Sequence, residues 1–254
     1  MKQTLHYTDE KSDKFWRIET GGCALVVNWG RTGTAGRYEI KEFSTEEECE
    51  KQAVKLAASK RKKGYTDMPD FDAMHHFYFD MDEYGLHPLT SHPAFRTFFS
   101  DDLYYDCGDE EAPFGSDEGN DTLHFLEEAL RKRPRMCVSD FPRSLIEKEW
   151  GLSYFPPDSE QTAEQLKTQA AQTYHGLPGE QEILQTDQVI LAAALGQIKI
   201  MGSLEPALKE SAFCSLARME RMYRLLWNWE QEEPPYAISI MRRDLTRWAG
   251  EHPL

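Results

Sequence analysis

The sequence predicts an α+β protein: an N-terminal antiparallel sheet with one packed helix, then an acidic, aromatic-rich segment, then a mainly α-helical C-terminal domain. Three observations carry this prediction. Residues 14–43 alternate apolar and polar side chains in short runs broken by glycine, the pattern of strands and tight turns. Residues 44–64 switch to apolar positions spaced three and four apart, the pattern of one amphipathic helix. From residue 120 onward the helical spacing dominates, interrupted by proline and glycine stops. The expected division is residues 1–65 and 66–254.

Residues 14–20 read as a half-buried strand, and Gly21-Gly22 supplies a two-residue hairpin turn that accepts positive φ. Residues 23–29, rich in β-branched and aromatic side chains, form the next strand. Residues 30–36 are a loop punctuated by Gly30, Gly33 and Gly36, and residues 37–43 return as a third strand. A shorter strand is expected over residues 4–7. Ser44 is the expected N-cap of the helix, with Glu47 three positions on as its capping-box partner. Cys49, Ala53, Leu56 and Ala57 share one face of that helix, Lys51, Lys55 and Lys62 the other, and Gly64 ends it.

The remaining expected helices are residues 122–133, stopped by Pro134, with Asn120 or Asp121 as N-cap; 160–174; 187–201, capped by Thr186 and ended by Gly202; 206–229, opened by Pro206; and 236–249. Arg218, Arg221 and Arg224 repeat every three residues, and Arg242, Arg243 and Arg247 follow on the last helix. These arginines read as solvated or ion-paired groups, as an internal electrostatic partner of the acidic middle segment, or as a site for phosphate or an acidic protein.

Charge is unevenly spread. Residues 1–64 hold 13 Lys and Arg against 10 Asp and Glu, residues 65–125 hold Arg96 against 15 acids, and residues 126–254 hold 15 bases against 19 acids. A net of −15 over 254 residues argues against nucleic-acid binding by the whole chain, because such binding needs a positive field at the contact. The middle segment also carries Phe71, Phe77, Tyr78, Phe79, Phe95 and Tyr104. Solvated acidic tails lack aromatics, so this segment is expected to fold, packing on the C-terminal helices. Five scattered cysteines with no CxxC pair signal neither a disulfide framework nor a zinc site. No signal peptide is expected, and no apolar run approaches the roughly 18 residues of a membrane span. The chain reads as soluble and cytoplasmic, with no membrane contact.

The order KFWRIE, VVNWGRTGTAGRYEIKEF and EEECEKQAVKLAASKRKKGY resembles the WGR domain over residues 1 to about 65. It is most similar to the bacterial branch, which includes proteins labelled molybdate-metabolism regulators. In DNA-damage poly(ADP-ribose) polymerases the same domain helps grip a DNA end. The resemblance implies a nucleic-acid role in which Trp29 lies against a sugar or base and Arg31 pairs with phosphate, with Arg37, Lys41, Lys51 and Lys55 adding phosphate contacts. Beside this stands a structural reading: Trp29 as a core or rim residue, Arg31 as a brace for the glycine loop, and the lysines as a solvated helix face.

No phosphate loop, nucleophile elbow or dinucleotide fingerprint is present, and no cofactor or metal is called for. The expected function is a non-enzymatic adaptor or regulator that binds DNA, RNA or a protein through the WGR-like domain and a protein partner through the acidic and helical region. Two alternatives remain open. One is a hydrolase or modifying enzyme with its site in residues 72–92, where His75, His76, His87 and His92 lie near Asp80 and Asp82. The other is an acidic segment that mimics nucleic acid and masks the basic face.

Overall fold

Strand β1 (Lys2–Thr8) runs antiparallel to β2 (Asp13–Gly21), which pairs in turn with β3 (Ala24–Arg31), and β3 with β4 (Arg37–Glu42). The computed structural model describes residues 1–81 and 84–252. Contacts divide the chain into two units, Met1–Pro93 and Ala94–Leu254. In the first unit, helix α1 (Glu46–Lys62) crosses the sheet, and the two-residue β5 (Thr66–Asp67) adds to β1, giving the order β4-β3-β2-β1-β5.

The side chains on the α1 face explain the packing. Trp16, Ile18, Leu25 and Val27 of the sheet meet Cys49, Ala53 and Ala57 of the helix in one core. Three small side chains down one helix stripe let α1 lie close to the sheet, so the bulk comes from Trp16. The helix is capped one residue later than expected: the Thr45 hydroxyl accepts the amide of Glu48 at 3.2 Å. Thr45-x-x-Glu48 offers the same spacing as Ser44-x-x-Glu47, and burial of Cys49, Ala53 and Ala57 fixes the register.

The opposite face departs further from expectation. Residues 15–19 are all buried rather than half-buried, because residues 71–81 and 84–93 return over the sheet. Arg17 lies beneath the rings of Phe71 and Tyr78, 5.7 and 4.8 Å from their centroids, and pairs with Glu19 at 3.0 Å. Its Nε and Nη1 have no hydrogen-bond partner among the described residues. The 3-10 turn Pro88–Thr90 seats Leu89 against Gly21, where an added Cβ would lie 3.0 Å from the Leu89 side chain. The sequence suggested packing on the C-terminal helices; within its own unit, this stretch of the acidic segment packs on the N-terminal sheet.

The second unit is built around α6 (Gly179–Met201), of which Val189–Ile200 is entirely buried. Around it stand α3 (Asp117–Lys132), the short α4 (Phe141–Ser144) continuing as a π-turn through Glu149, α5 (Ala163–Ala170) and α7 (Pro206–Leu226). Helix α8 (Tyr236–Glu251) packs on α7, α2 (Pro93–Phe98) and a 3-10 turn at Asp102–Tyr105 precede α3, and the hairpin β6 (Thr173–Tyr174)–β7 (Leu177–Pro178) precedes α6. Gly196 allows the close approach of α3 to α6: a Cβ there would sit 3.1 Å from Leu126 and 3.3 Å from Leu123.

Several expected boundaries move. Ser116, not Asn120 or Asp121, caps α3, accepting the amide of Gly119 at 3.1 Å. Helix α5 is shorter than 160–174 because Thr162 and Gln165 close a capping box and the hairpin follows. Helix α6 begins eight residues before Asp187. Thr186 is buried inside it, donating to the Glu182 carbonyl at 3.0 Å and accepting the amide of Phe155 at 3.3 Å. Helix α7 stops at Leu226, with Asn228 at φ 54 turning the chain.

The C-terminal arginines are engaged within this unit. Arg218 is buried, bonding both carboxylate oxygens of Asp187 at 2.8–3.2 Å and the carbonyls of Phe155 and Pro156 at 2.8 and 3.2 Å. Arg221 donates to the carbonyl of Gln161. Arg224 and Arg242 share Glu220, Arg243 pairs with Asp244, and Arg247 donates to the carbonyl of Thr97. The structure thus answers the stripe with partners rather than an open cationic face.

Candidate nucleic-acid interface

The antiparallel hairpins bring the β1–β2 turn, the β3–β4 loop and the end of α1 to one end of the sheet. There Trp29, Gly30 and Arg31 close β3 beside an open groove of about 810 Å³. Across the strands, Trp29 faces Trp16 on β2 and Arg37 on β4, and Arg31 faces Lys14. Trp29 is half-buried, packed against the α1-face core on one side and lining the groove on the other. Arg31 and Arg37 are exposed, and their guanidinium groups have no hydrogen-bond or ion-pair partner among the described residues.

The loop between Arg31 and Arg37 is held by backbone and by Asn28. The Arg31 carbonyl accepts the amide and the hydroxyl of Thr34 at 3.1 and 2.8 Å. Asn28 donates to the carbonyls of Ala35 and Arg37 at 3.0 and 3.1 Å, and its Oδ1 accepts His76 Nε2 at 2.9 Å. Gly30 is required because a Cβ there would lie 2.7 Å from the Gly36 Cα. Gly36 has φ 71, and its Cβ would lie 2.6 Å from the Trp29 carbonyl oxygen. Gly36→Ala should cost the N-terminal unit about 2 kcal/mol in urea unfolding. A loss below about 0.5 kcal/mol would mean the loop relaxes freely.

Two comparisons define what this end of the molecule is. The WGR domain family matches residues 1–72. Over the whole length, the chain is 44% identical across 253 residues to a protein of Escherichia coli (strain K12) described as the uncharacterized protein YfeS, covering 99% of this chain and 100% of that one. The chain belongs to the YfeS family. A shorter match is to the Escherichia coli protein YehF, 46% identical over 61 residues, 24% of this chain and 22% of that one. A crystal structure of a Bacteroides fragilis protein is 28% identical, covering 50% of this chain and 39% of that one, with a TM-score of 0.27, too low to bear on the fold.

Within this YfeS-family chain, the WGR groove gathers some of the expected residues and separates others. Trp29, Arg31 and Arg37 come together at the loop end. Lys41 lies four residues along β4, about 13 Å away, and pairs with Glu39 at 2.8 Å. Lys51 and Lys55 precede the end of α1 by about 16 and 10 Å, and Lys51 pairs with Glu47 at 2.8 Å. In their place the structure brings Lys11 and Lys14 into the groove, with Asp9, Glu10 and Asp13. Asp9 and Asp13 are occupied: Asp9 accepts the Tyr7 hydroxyl and the Lys11 amide at 2.8 Å each, and Asp13 accepts His6 at 2.7 Å. Lys60 stands over the rings of Trp16 and Tyr65 at 5.5 and 5.4 Å, where burial holds its ammonium below the ordinary lysine value.

The histidines of residues 72–92 do not converge. His75 pairs with Asp72 at 2.6 Å, His76 with Asn28, His87 Nδ1 accepts the Leu89 amide at 3.0 Å, and His92 Nε2 donates to the Met74 carbonyl at 3.2 Å. Asp80 takes the Thr90 hydroxyl, and Asp82 lies outside the described residues. Among the described residues no group of three His, Cys, Asp or Glu is placed to hold a metal ion, and no helix is long and apolar enough to cross a membrane.

Proposed function

We propose that the protein is a non-enzymatic adaptor or regulator whose WGR domain grips nucleic acid at the loop end of its sheet. The observation that carries this reading is the pairing of a half-buried indole with two unpartnered guanidinium groups on adjacent strands, Trp29 between Arg31 and Arg37, beside an open groove. A planar guanidinium matches phosphate bidentately, and an indole face stacks on a base or terminal sugar. Lys11 and Lys14 add two ammonium groups to a groove that also holds Asp9, Glu10 and Asp13, while the acidic and helical region is left to contact a protein partner.

Fluorescence anisotropy across a salt series tests this with blunt DNA, 5′-phosphorylated DNA ends and RNA. Wild type should bind with a salt slope of about −2 to −3, as two or three phosphate contacts require. Arg31→Ala should reduce that slope by about one, and Trp29→Ala should weaken binding roughly tenfold with the slope kept. Lys51→Ala/Lys55→Ala should change little. Absence of binding by wild type at low salt would end the nucleic-acid reading. Binding lost equally in the Lys51/Lys55 variant would move the interface onto α1.

A further inference from the structure

The C-terminal unit is acidic: residues 94–254 hold 16 Lys and Arg against 28 Asp and Glu. Among the described residues, every arginine of this unit has an ion-pair, hydrogen-bond or ring partner except Arg133 and Arg135. These two stand on one β-turn just past α3. Pro134 presets its first corner, and the Met136 amide donates to the Arg133 carbonyl at 3.1 Å. Beside the turn opens a groove of about 680 Å³, bordered on its far side by Asp140 and Ser144 at α4. That volume lies inside the roughly 300–1,000 Å³ range of small-molecule sites. The backbone here is held in place. Glu205, at the start of α7, accepts the amides of Val138 and Ser139 at 2.8 Å each, together with the Ser139 hydroxyl and the Cys137 thiol. The side chains of the turn therefore project from a fixed platform, and little ordering is needed on binding.

The lining selects an occupant. Two exposed guanidinium groups on one turn suit a phosphate, which they can bind through paired N–H donors. Pro134 is exposed and Met136 half-buried, so the groove offers accessible apolar surface beside those charges. A thioether packs favourably on a planar ring. Asp140, exposed and making no capping bond, sets a carboxylate on the same rim. It repels a second anionic group and accepts hydroxyl donors, as acidic side chains do for a ribose. A nucleic-acid backbone or an anionic membrane would bring many more negative charges against an acidic unit. The groove therefore fits a small ligand with one phosphate, a planar end and free hydroxyls.

We propose that this groove binds a nucleoside monophosphate, its phosphate on Arg133 and Arg135, its base against Pro134 and Met136, and its ribose hydroxyls on Asp140.

Calorimetric titration of the full-length protein with AMP, in phosphate-free buffer at low salt, tests this. The expected result is one saturable site, roughly tenfold tighter than for inorganic phosphate or adenosine. Arg133→Gln/Arg135→Gln should weaken AMP binding by at least about tenfold. Asp140→Asn should weaken AMP but tighten inorganic phosphate, because the carboxylate serves the ribose and repels the anion. Lys62→Gln/Lys63→Gln, which removes the same charge from the end of α1, should leave the affinity unchanged. Thermal melts establish that each variant is folded, and amide shifts on adding AMP should centre on residues 133–144. The proposal is overturned by heats that never saturate, by equal weakening in the α1 control, or by inorganic phosphate binding as tightly as AMP. Tightening of both ligands in Asp140→Asn would also overturn it. So would amide shifts confined to residues 9–15 and 29–37, which would place the nucleotide in the WGR groove.

Discussion

Replacing Arg218 with alanine should lower the stability of the C-terminal unit by about 3–5 kcal/mol. Arg218 is 1% exposed and Asp187 fully buried. Burial pushes the Asp187 carboxyl upward, and Arg218, bonding both oxygens, opposes that push. Without the guanidinium, Asp187 is left fully buried without its ion-pair partner, and the carbonyls of Phe155 and Pro156 lose their donor. The bonds from Arg218 on α7 to Asp187 on α6 and to the Phe155 and Pro156 carbonyls tie the 151–159 connection to both helices, so the loss should spread to that segment as faster amide exchange. Urea unfolding of Arg218→Ala reads the first effect. Asp187→Leu/Arg218→Met should recover much of the loss, because an apolar pair of similar volume needs no compensating charge. A loss below about 1 kcal/mol in the single variant would show that water replaces the arginine.

Acid should destabilise the N-terminal unit through His76, by about 3 kcal/mol between pH 6.5 and pH 4. The imidazole is buried against Phe71, Tyr78 and Arg17, and it bonds Asn28. Burial first, then the Arg17 charge, lower its pKa from 6.5 to about 4. Above pH 6.5 the ring is neutral in both states and pH has no leverage through it. Between pH 6.5 and 4 the unfolded chain takes up a proton that the folded chain refuses, so the folded state loses ground. Below pH 4 both states are charged and the loss levels off. Urea midpoints of wild type and His76→Gln over this range isolate the effect, since other groups titrate in both. Identical slopes, or an imidazole titrating near 6.5 by NMR in the folded protein, would contradict it.

The parts of this fold that were legible in the sequence are those set by neighbours along the chain. Gly21-Gly22, the alternation through Trp16 and Ile18, and the capped helix ending at Gly64 are local signals, and the structure follows them to within a residue or two. The second face of the sheet was hidden. Phe15, Arg17 and Glu19 alternate with core residues as a solvent face would, and their burial comes from residues more than fifty positions away. The start of α6 was missed for a related reason: Thr186-Asp187 looks like a cap, and only the burial of Glu182 and Thr186 shows otherwise.

For the site, Trp29, Arg31 and Arg37 were legible because strand register joins them. Lys11 and Lys14 were not, since Lys14 opened an expected strand as an ordinary polar position and nothing in the sequence singled out Lys11. The full length of β1 would have been the signal. A seven-residue strand before the β1–β2 turn sends that turn to the same end as the Trp-Gly-Arg loop.

The covered sheet bears on how this domain is reused. The family match ends at residue 72, while the compact unit runs to Pro93. The twenty or so residues between are the lining that turns a one-sided sheet into a two-sided one. A protein that borrows only the strands and α1 inherits a raw surface centred on the positions of Phe15, Arg17 and Tyr38, and must supply its own lid. What a host protein lays across that surface decides whether the module stands alone or is welded to a neighbour.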